Sequence, residues 1–323
     1  MFQAETVCLK QIQSTLRCID FSKECTIEIT SRGLRFAVEE SQSLQAHAFL
    51  DKSLFQTFNF QGDSDGDTYM FQTMISPLLQ SLSIYTDGKE RISTSAWDQP
   101  TVNIMHKRGV ICKVQYNGPG CPFIWEVEEM AGYATACELL TMECEDDVDI
   151  NRLASTLCTK IIMKSNWLYD ALVELDNNMG ENLIIHTSSQ KSTFLLRCVG
   201  ALSTTEIEYP NEKSVLESFE TDSENTYSYR FSLIRHALKA LQVGSKVNLR
   251  IDENGTLSIQ IMLVGQEGLC TFVDFCIVPL DLVSEDEEED EEEEPAESNQ
   301  SDNNVLRNDP NYRGDAETED EDS

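Results

Sequence analysis

One acidic run in the sequence has the composition of a metal-binding loop. The segment Asp63–Asp67 (DSDGD) resembles the start of a calcium-binding EF-hand loop. Such a loop requires glycine at its sixth position and glutamate at its twelfth. This chain has Thr68 and Met74 at those positions. The run is therefore predicted to be a solvated hairpin tip rather than a cation site.

Two carboxylate pairs, Asp147/Asp149 and Glu317/Glu319, are of a type that nucleases use. Metal-dependent cleavage of a phosphodiester needs several carboxylates that converge on two ions about 4 Å apart. One pair lies in a predicted linker and the other in a predicted disordered tail, so neither has a rigid platform. We predict a protein that is not an enzyme, with no metal and no cofactor. A 3′→5′ exonuclease stays the main alternative, and three or more carboxylates converging at one concave site would favour it.

Nucleophilic and zinc chemistry also lack sequence support. The four histidines stand alone, without a neighbouring nucleophile signature, and no C-x-x-C occurs among the eleven cysteines. There is no apolar segment typical of a signal peptide and no apolar run of about 18 residues. A free-thiol protein of the nucleus or cytosol is expected, with no membrane association.

Basic side chains on helices are the remaining candidates for binding. They lie on the polar faces of two predicted helices, with Lys10 and Arg17 on 9–19 and Arg235 and Lys239 on 232–242. Such side chains suit phosphate contacts, which fix position without reading sequence. The other two predicted helices, 75–84 and 166–176, present neutral and acidic side chains, so a surface built from all four would be only half basic.

The overall charge is −33, and much of it lies at the carboxyl end. Residues 284–323 hold 19 acidic and 2 basic residues, including ten consecutive acids from Glu285 to Glu294. Like charges repel and nothing apolar is available for burial, so this segment is predicted to be a disordered tail. Ser284 and Thr318 each precede three acidic residues and are possible phosphorylation sites for an acid-directed kinase. An acidic chaperone or histone-type binder that uses the tail is a third reading of the function.

Apolar residues repeat at a fixed interval, which suggests a duplicated module. Leu9, Leu16, Ile75, Leu79 and Leu82 have apolar counterparts 159 residues later, at Leu168, Leu175, Ile234, Leu238 and Leu241. Ile27 and Phe36 are echoed by Ile185 and Phe194 at an interval of 158. The charged positions do not repeat, since the residue 159 positions after Arg17 is Asp176 and the one after Lys10 is Tyr169.

The pattern predicts an α+β fold of two similar domains, each with two helices packed on antiparallel sheets. The predicted boundaries are 1–142 for the first domain, 143–151 for the linker, 152–283 for the second domain and 284–323 for the tail. The segment between 209 and 232 is interpreted as a polar loop, and Asn254-Gly255 as the turn of a hairpin.

Several stretches in order make the chain similar to a known family. They are Ser31–Phe60, Asn117–Glu129 (NGPGCPFIWEVEE), Ala171–Asp176, Ser232–Met262 and Cys270–Pro279 (CTFVDFCIVP). Over residues 1–283 the chain resembles the Rad-one subunits of the heterotrimeric checkpoint (nine-one-one) sliding clamp, relatives of proliferating cell nuclear antigen. Its size and acidic tail resemble those of fungal members.

The resemblance implies a nuclear, non-enzymatic subunit of a DNA-damage checkpoint clamp with a sliding-clamp fold. The clamp would be closed with two other subunits, placed around duplex DNA by a clamp loader, and used to recruit checkpoint kinase activators and repair factors. Lys10, Arg17, Arg235 and Lys239 match DNA-facing positions of the ring lining. The segments 133–142 and 203–209 match the edges that pair with neighbours, with Tyr133, Leu139, Leu140, Ile207 and Tyr209 as interface candidates.

The acidic residues Asp170 and Glu174 depart from the basic lining of the replication clamp. This departure favours a heterotrimer with more basic partners over a homotrimer. The purified chain alone is expected to be monomeric and to bind duplex DNA poorly.

Overall fold

The computed structural model describes residues 1–61, 68–86, 110–129, 134–144, 156–189, 193–265 and 268–280. By its contacts the chain divides into Met1–Leu282 and Val283–Ser323. Several sequence predictions fall outside the described residues: the acidic run from Asp63, the interface candidate Tyr133, most of the predicted linker, and the phosphorylation candidates Ser284 and Thr318.

The two halves of the folded unit have the same order of strands and helices, except that the first has an additional 3-10 helix and the second has two short helices in place of α2. The first half contains β1 (Phe2–Thr6), α1 (Leu9–Arg17), β2 (Glu24–Thr30), β3 (Gly33–Glu40), β4 (Leu44–Asp51), a short 3-10 helix (Lys52–Leu54), β5 (Thr57–Phe60), β6 (Tyr69–Met74), α2 (Ser76–Thr86), β7 (Val110–Tyr116), β8 (Phe123–Glu129) and β9 (Ala134–Leu139). The second contains β10 (Leu157–Lys164), α3 (Ser165–Asp176), β11 (Asn182–Ser188), β12 (Thr193–Val199), β13 (Thr204–Tyr209), β14 (Leu216–Thr221), β15 (Asn225–Arg230), α4 (Phe231–Arg235), α5 (Leu238–Val243), β16 (Lys246–Asp252), β17 (Leu257–Val264) and β18 (Cys270–Ile277).

The strands form three antiparallel sheets. Their orders are β5-β1-β7-β8-β9, β14-β10-β16-β17-β18-β4-β3-β2-β6 and β13-β12-β11-β15. The nine-stranded sheet crosses from one half to the other where β18 pairs with β4, for example Phe275 with Ala46. The two predicted domains therefore share one continuous sheet, and their division remains a prediction.

The apolar repeat corresponds to equivalent core positions. Leu9, Leu16, Leu168 and Leu175 are all buried on the inner faces of α1 and α3. Burial of one leucine side chain stabilises a fold by about 2 kcal/mol, so each helix is held mainly by this face.

Strand register corrects one pair in the predicted repeat. Ile27 pairs with Phe36, whereas its counterpart Ile185 pairs with Leu196. The counterpart of Phe36 is therefore Leu196 rather than Phe194. Phe194 lies two residues earlier on the same face, and both of these side chains are buried.

The predicted helix 232–242 is two short helices. The amides of His236 and Ala237 donate to carbonyls three residues earlier, at Leu233 and Ile234, which tightens the chain into a turn between α4 and α5. The His236 ring lies 4.5 Å from that of Phe21 and its Nε2 lies 2.8 Å from Glu40 Oε2. These contacts from the first half hold the break in place.

The predicted polar loop 210–231 contains two strands, β14 and β15, so that interpretation was wrong. Their Ser, Thr, Asn and Glu content hid an alternation in which Tyr229 is buried and Tyr227 and Phe219 are half-buried. The hairpin at Asn254-Gly255 is present. Asp252 Oδ1 accepts from the amides of Asn254 and Thr256, and Gly255 has a φ of 78°.

No helix in the described ranges is long and apolar enough to cross a membrane.

Candidate nucleic-acid and subunit interfaces

The predicted basic positions are all on the exposed sides of helices whose opposite sides are buried. Lys10 and Arg17 are exposed on α1, while Arg235 and Lys239 are exposed on α4 and α5. Arg17 ends α1, where a cation interacts favourably with the helix dipole. The structure thus places all four side chains on exposed helix surfaces, and their assignment to DNA stays a prediction.

Arg235 is already paired within the chain. Its Nε and Nη2 both lie 2.7 Å from Oδ1 of Asp176, the last residue of α3. The Phe231 ring lies 5.5 Å from the guanidinium carbon. An exposed pair of this kind contributes at most about 1 kcal/mol, but it lowers the positive charge that Arg235 presents.

The positive charge of Lys239 affects the pKa of Cys18, the residue after α1. Burial raises the pKa of the Cys18 thiol to about 12, and the positive charge of Lys239 opposes that rise. The charge of Lys239, from the second half of the chain, therefore reaches the residue that directly follows α1 in the first half.

The other two helices carry no basic residue on their exposed faces. Gln80 is exposed on α2, and Asp170 and Glu174 are exposed on α3. Both acids raise the pKa of Tyr209, adding to the larger effect of burial. The basic residues on the described α-helices are therefore confined to α1, α4 and α5.

The predicted subunit edges are the outer strands of two sheets. Within the described ranges, β9 pairs only with β8, and β13 pairs only with β12. Both strands show the same alternation, exposed and half-buried by turns, ending in one buried residue. By contrast β4, which is paired on both sides, has buried side chains at six of its eight positions. Side chains on β9 and β13 are thus less buried than those of a strand with two partners, as expected for an edge strand whose second partner belongs to another subunit.

The individual interface candidates differ in what they offer a neighbour. Leu139 and Tyr209 are buried in this chain's own core, and Tyr209 donates a hydrogen bond to the Trp167 carbonyl. They can offer backbone groups rather than apolar side chains. Ile207 is half-buried and Leu140 is 84% exposed, so these two have side chains available.

A polar network across the β4–β18 junction had no clear signal in the sequence. His47 Nδ1 accepts from Arg35 Nε at 3.1 Å, and the cross-strand partner of His47 is Asp274. Asp274 accepts from Ser258 Oγ at 2.7 Å and from Arg250 Nη2 at 2.9 Å. Burial, reinforced by Arg35, lowers the pKa of His47 to about 3, and burial raises the pKa of Asp274. The network joins the two halves of the chain, and the Ser258 hydroxyl in it donates to Asp274 and accepts from Arg250.

Within the described ranges, no group of three or more His, Cys, Asp or Glu side chains is placed to hold a metal ion.

Comparison with known proteins gives one family. The model of the family described as "Repair protein Rad1/Rec1/Rad17" matches residues 1–263. The mouse "Cell cycle checkpoint protein RAD1" is 29% identical over 277 residues, covering 86% of this chain and 91% of the mouse protein. A more distant relative, "DNA repair exonuclease REC1" of Mycosarcoma maydis, is 23% identical over 180 residues, covering 47% of this chain and 39% of its own length.

Among solved structures, the PCNA2–PCNA3 complex of Sulfolobus tokodaii has a chain that matches with a TM-score of 0.63 at 12% identity, covering 86% of this chain and 98% of that one. The fold is that of a sliding clamp.

Proposed function

The chain belongs to the Rad1/Rec1/Rad17 family of repair proteins, and from this premise we propose that it is one subunit of a DNA-damage checkpoint clamp. In this proposal β9 and β13 each pair with a different clamp subunit. The closed ring encircles duplex DNA, with the helices facing the duplex.

The composition of the sheets carries this proposal. The nine-stranded sheet is a five-stranded block from the second half (β14-β10-β16-β17-β18) joined to a four-stranded block from the first half (β4-β3-β2-β6). The remaining sheets are the matching five-stranded block, which ends at β9, and the matching four-stranded block, which ends at β13. Pairing β9 of one subunit with a β13-type edge of the next would repeat the β18–β4 junction. Such pairing also removes two open sheet edges that would otherwise promote aggregation.

The proposed DNA contacts are few and come from Lys10, Arg17, Arg235 and Lys239. A ring retains DNA by enclosing it, so strong phosphate affinity is not needed. The acidic surface of α3 and the Arg235–Asp176 pair weaken binding further. Both features support assembly with two unlike, more basic subunits rather than with two more copies of this chain.

A clamp of this type acts in the nucleus. Placement around DNA requires a clamp loader, and signalling requires binding of checkpoint kinase activators and repair factors. These partners are proposed from the family to which the chain belongs.

Reconstitution tests the proposal directly. The full chain is purified alone and together with candidate partner subunits, and the mass of each species is measured by light scattering. We expect a monomer for the chain alone and a 1:1:1 complex for the mixture. A stable homotrimer, or no complex with either partner, would contradict the proposal.

DNA enclosure has its own test. A clamp loader is added with ATP and nicked circular DNA, and the same DNA after linearisation serves as the matched control. Retention of the complex on the circle and its loss from the linear DNA are expected. Equal retention on both would indicate ordinary surface binding.

Exonuclease activity is a second candidate function because one relative is named "DNA repair exonuclease REC1". The purified chain is assayed on 3′-end-labelled duplex with Mg²⁺ or Mn²⁺. Cleavage that persists through purification and disappears with EDTA would favour the exonuclease over the clamp subunit.

A further inference from the structure

Two of the most exposed large apolar side chains in the described ranges lie beside β9 and β13, the two sheet edges proposed to pair with neighbouring subunits. Leu202 is fully exposed (101%) and precedes β13, while Leu140 is 84% exposed and directly follows β9. Exposed apolar residues are ordinary when scattered, but a location next to an open edge suggests a contact surface. Leu202 was not among the residues that the sequence pointed to.

The turn that presents Leu202 is held in one conformation. The amide of Gly200 donates to the carbonyl of Ser203 at 2.9 Å, and Ser203 Oγ donates to Asn178 Oδ1 at 3.2 Å. A Cβ on Gly200 would lie 2.3 Å from the carbonyl oxygen of Asn178, so only glycine allows this close approach. Leu202 is therefore exposed on a fixed turn, where little ordering would be lost on binding.

The pairing of β18 with β4 inside this chain, here called the internal junction, shows which group covers the turn equivalent to the one that presents Leu202. Ala48 pairs with Phe36 and Ile207 pairs with Leu196, which makes Ala48 and Ile207 counterparts. Ser43 and Leu202 each lie five residues before these, so they are counterparts as well. The Ser43 carbonyl accepts a hydrogen bond of 2.9 Å from the amide of Val278, which is the first residue after β18.

The other edge matches the other side of that junction. Leu140 is the first residue after β9, as Val278 is the first after β18. Met142, three residues past β9, bonds to Gln72 on β6, and Leu280, three residues past β18, bonds to Ser228 on β15. Because Gln72 and Ser228 are each the fourth residue of their strand, the two segments leave their sheets in the same way.

We propose that Leu202 and Leu140 are the apolar contacts that close the corresponding ends of the two subunit junctions. Leu202 packs against the residue that follows the edge strand of one neighbour, and its carbonyl accepts from that residue's amide. Leu140 packs against the turn that precedes the edge strand of the other neighbour. This inference rests on the proposed clamp function and adds to it the residues that hold each neighbour.

The internal junction accounts for the difference in residue type. Its two sides belong to one chain, so a serine at position 43 is sufficient there. A junction between separate subunits must supply its own binding free energy, and buried apolar anchors are the usual source. Each anchor is expected to serve one neighbour only, because the two edges are on different sheets.

Single substitutions measured against each partner test the proposal. Leu202→Asp and Leu140→Asp are made in the full chain, with Val243→Asp as the control, since Val243 is 52% exposed at the end of α5 and lies on neither edge strand. Pairwise dissociation constants are measured with each purified partner. We expect Leu202→Asp to weaken binding to one partner by at least about tenfold and Leu140→Asp to weaken binding to the other, while each leaves the second partner unaffected. Leu202→Met should retain most of the affinity.

The outcomes distinguish the role of Leu202 and Leu140 from the clamp function itself. If the unmodified chain binds both partners and both Asp variants stay within twofold of Val243→Asp, the role of these leucines is wrong and the clamp function stands. If the unmodified chain binds neither partner, the clamp function fails and this inference fails with it. Circular dichroism and thermal melting of each variant verify that it is folded.

Discussion

Asp176 neutralises Arg235 from the position that corresponds to Arg17 in the other half of the chain. The guanidinium Nε and Nη2 of Arg235 both lie 2.7 Å from Asp176 Oδ1. The duplicated scaffold therefore has a cation at the end of α1 and an anion at the end of α3, and that anion pairs with a cation predicted to face DNA. The pair therefore lowers the net positive charge that the helix surface of the second half presents.

Removing that anion should strengthen DNA binding. Asp176→Asn frees Arg235, and each additional phosphate contact adds about one unit to the slope of log affinity against log salt. We expect the assembled clamp that carries Asp176→Asn to bind duplex DNA a few-fold more tightly at low salt, with a steeper salt dependence. Fluorescence anisotropy from 50 to 200 mM salt measures both quantities.

Glu220→Gln is the matched control for this experiment. It removes the same charge from an exposed pair, with Lys160, on the strand pair β10–β14. An effect of Glu220→Gln as large as that of Asp176→Asn would mean that only net charge matters, and the specific role of Asp176 would be refuted.

His47 should make the fold acid-sensitive. Its pKa is lowered from 6.5 to about 3 in the folded chain, because burial and Arg35 disfavour the charged ring. The contribution to stability is fully present above the unfolded pKa of about 6.5 and is lost as pH falls toward 3, by an amount on the order of 5 kcal/mol. Urea unfolding at pH 7, 5.5 and 4.5 should show a smaller loss for His47→Gln than for the unmodified chain. His186→Gln is the control, since His186 is not buried, and a pH dependence of His47→Gln equal to that of the unmodified chain would contradict the prediction.

The buried cysteines should resist alkylation. Burial raises the pKa of Cys18, Cys25 and Cys112 to about 12, so the reactive thiolate is scarce at pH 8. Iodoacetamide is expected to label exposed Cys270 first and these three only after denaturation. Peptide mass spectrometry over a time course distinguishes them. Labelling of Cys25 in the folded chain at the rate of Cys270 would be the contrary result.

Gly33 should not tolerate a side chain. A Cβ at this position would lie 2.2 Å from the carbonyl oxygen of Leu50, the residue before Asp51, which is the partner of Gly33 in the β3–β4 ladder. Gly33→Ala should therefore lower the free energy of unfolding by about 2–4 kcal/mol through displacement of that ladder. Gly118→Ala is the control, because Gly118 also has a positive φ but has nothing within 4 Å of the added Cβ. Urea unfolding that gives equal losses for both variants would show that backbone strain alone accounts for the cost.

Local pattern predicted most of the elements because their apolar periodicity is strong. The leucines of α1 and α3 and the alternation in β2, β3, β16 and β17 are as expected. The same reasoning failed for β14 and β15, since their polar residues mask a single buried face. It also failed at His236, where a tilted ring contact with Phe21 and a contact between Nε2 and Glu40 Oε2 lie at the break in a helix that is continuous by sequence pattern.

The sequence by itself determined the duplication, the identity of the core positions, the acidic tail and the family resemblance, because each of these is written in residue type and spacing. The tertiary structure decided which strands meet and which remain open, since β4 and β18 are more than 200 residues apart and no local signal specifies their pairing. It also decided that Arg235 is paired with a residue 59 positions away, that Leu139 is buried while adjacent Leu140 is exposed, and that Leu202 stands beside an open edge. These properties depend on distances between elements, and only the assembled fold fixes those distances.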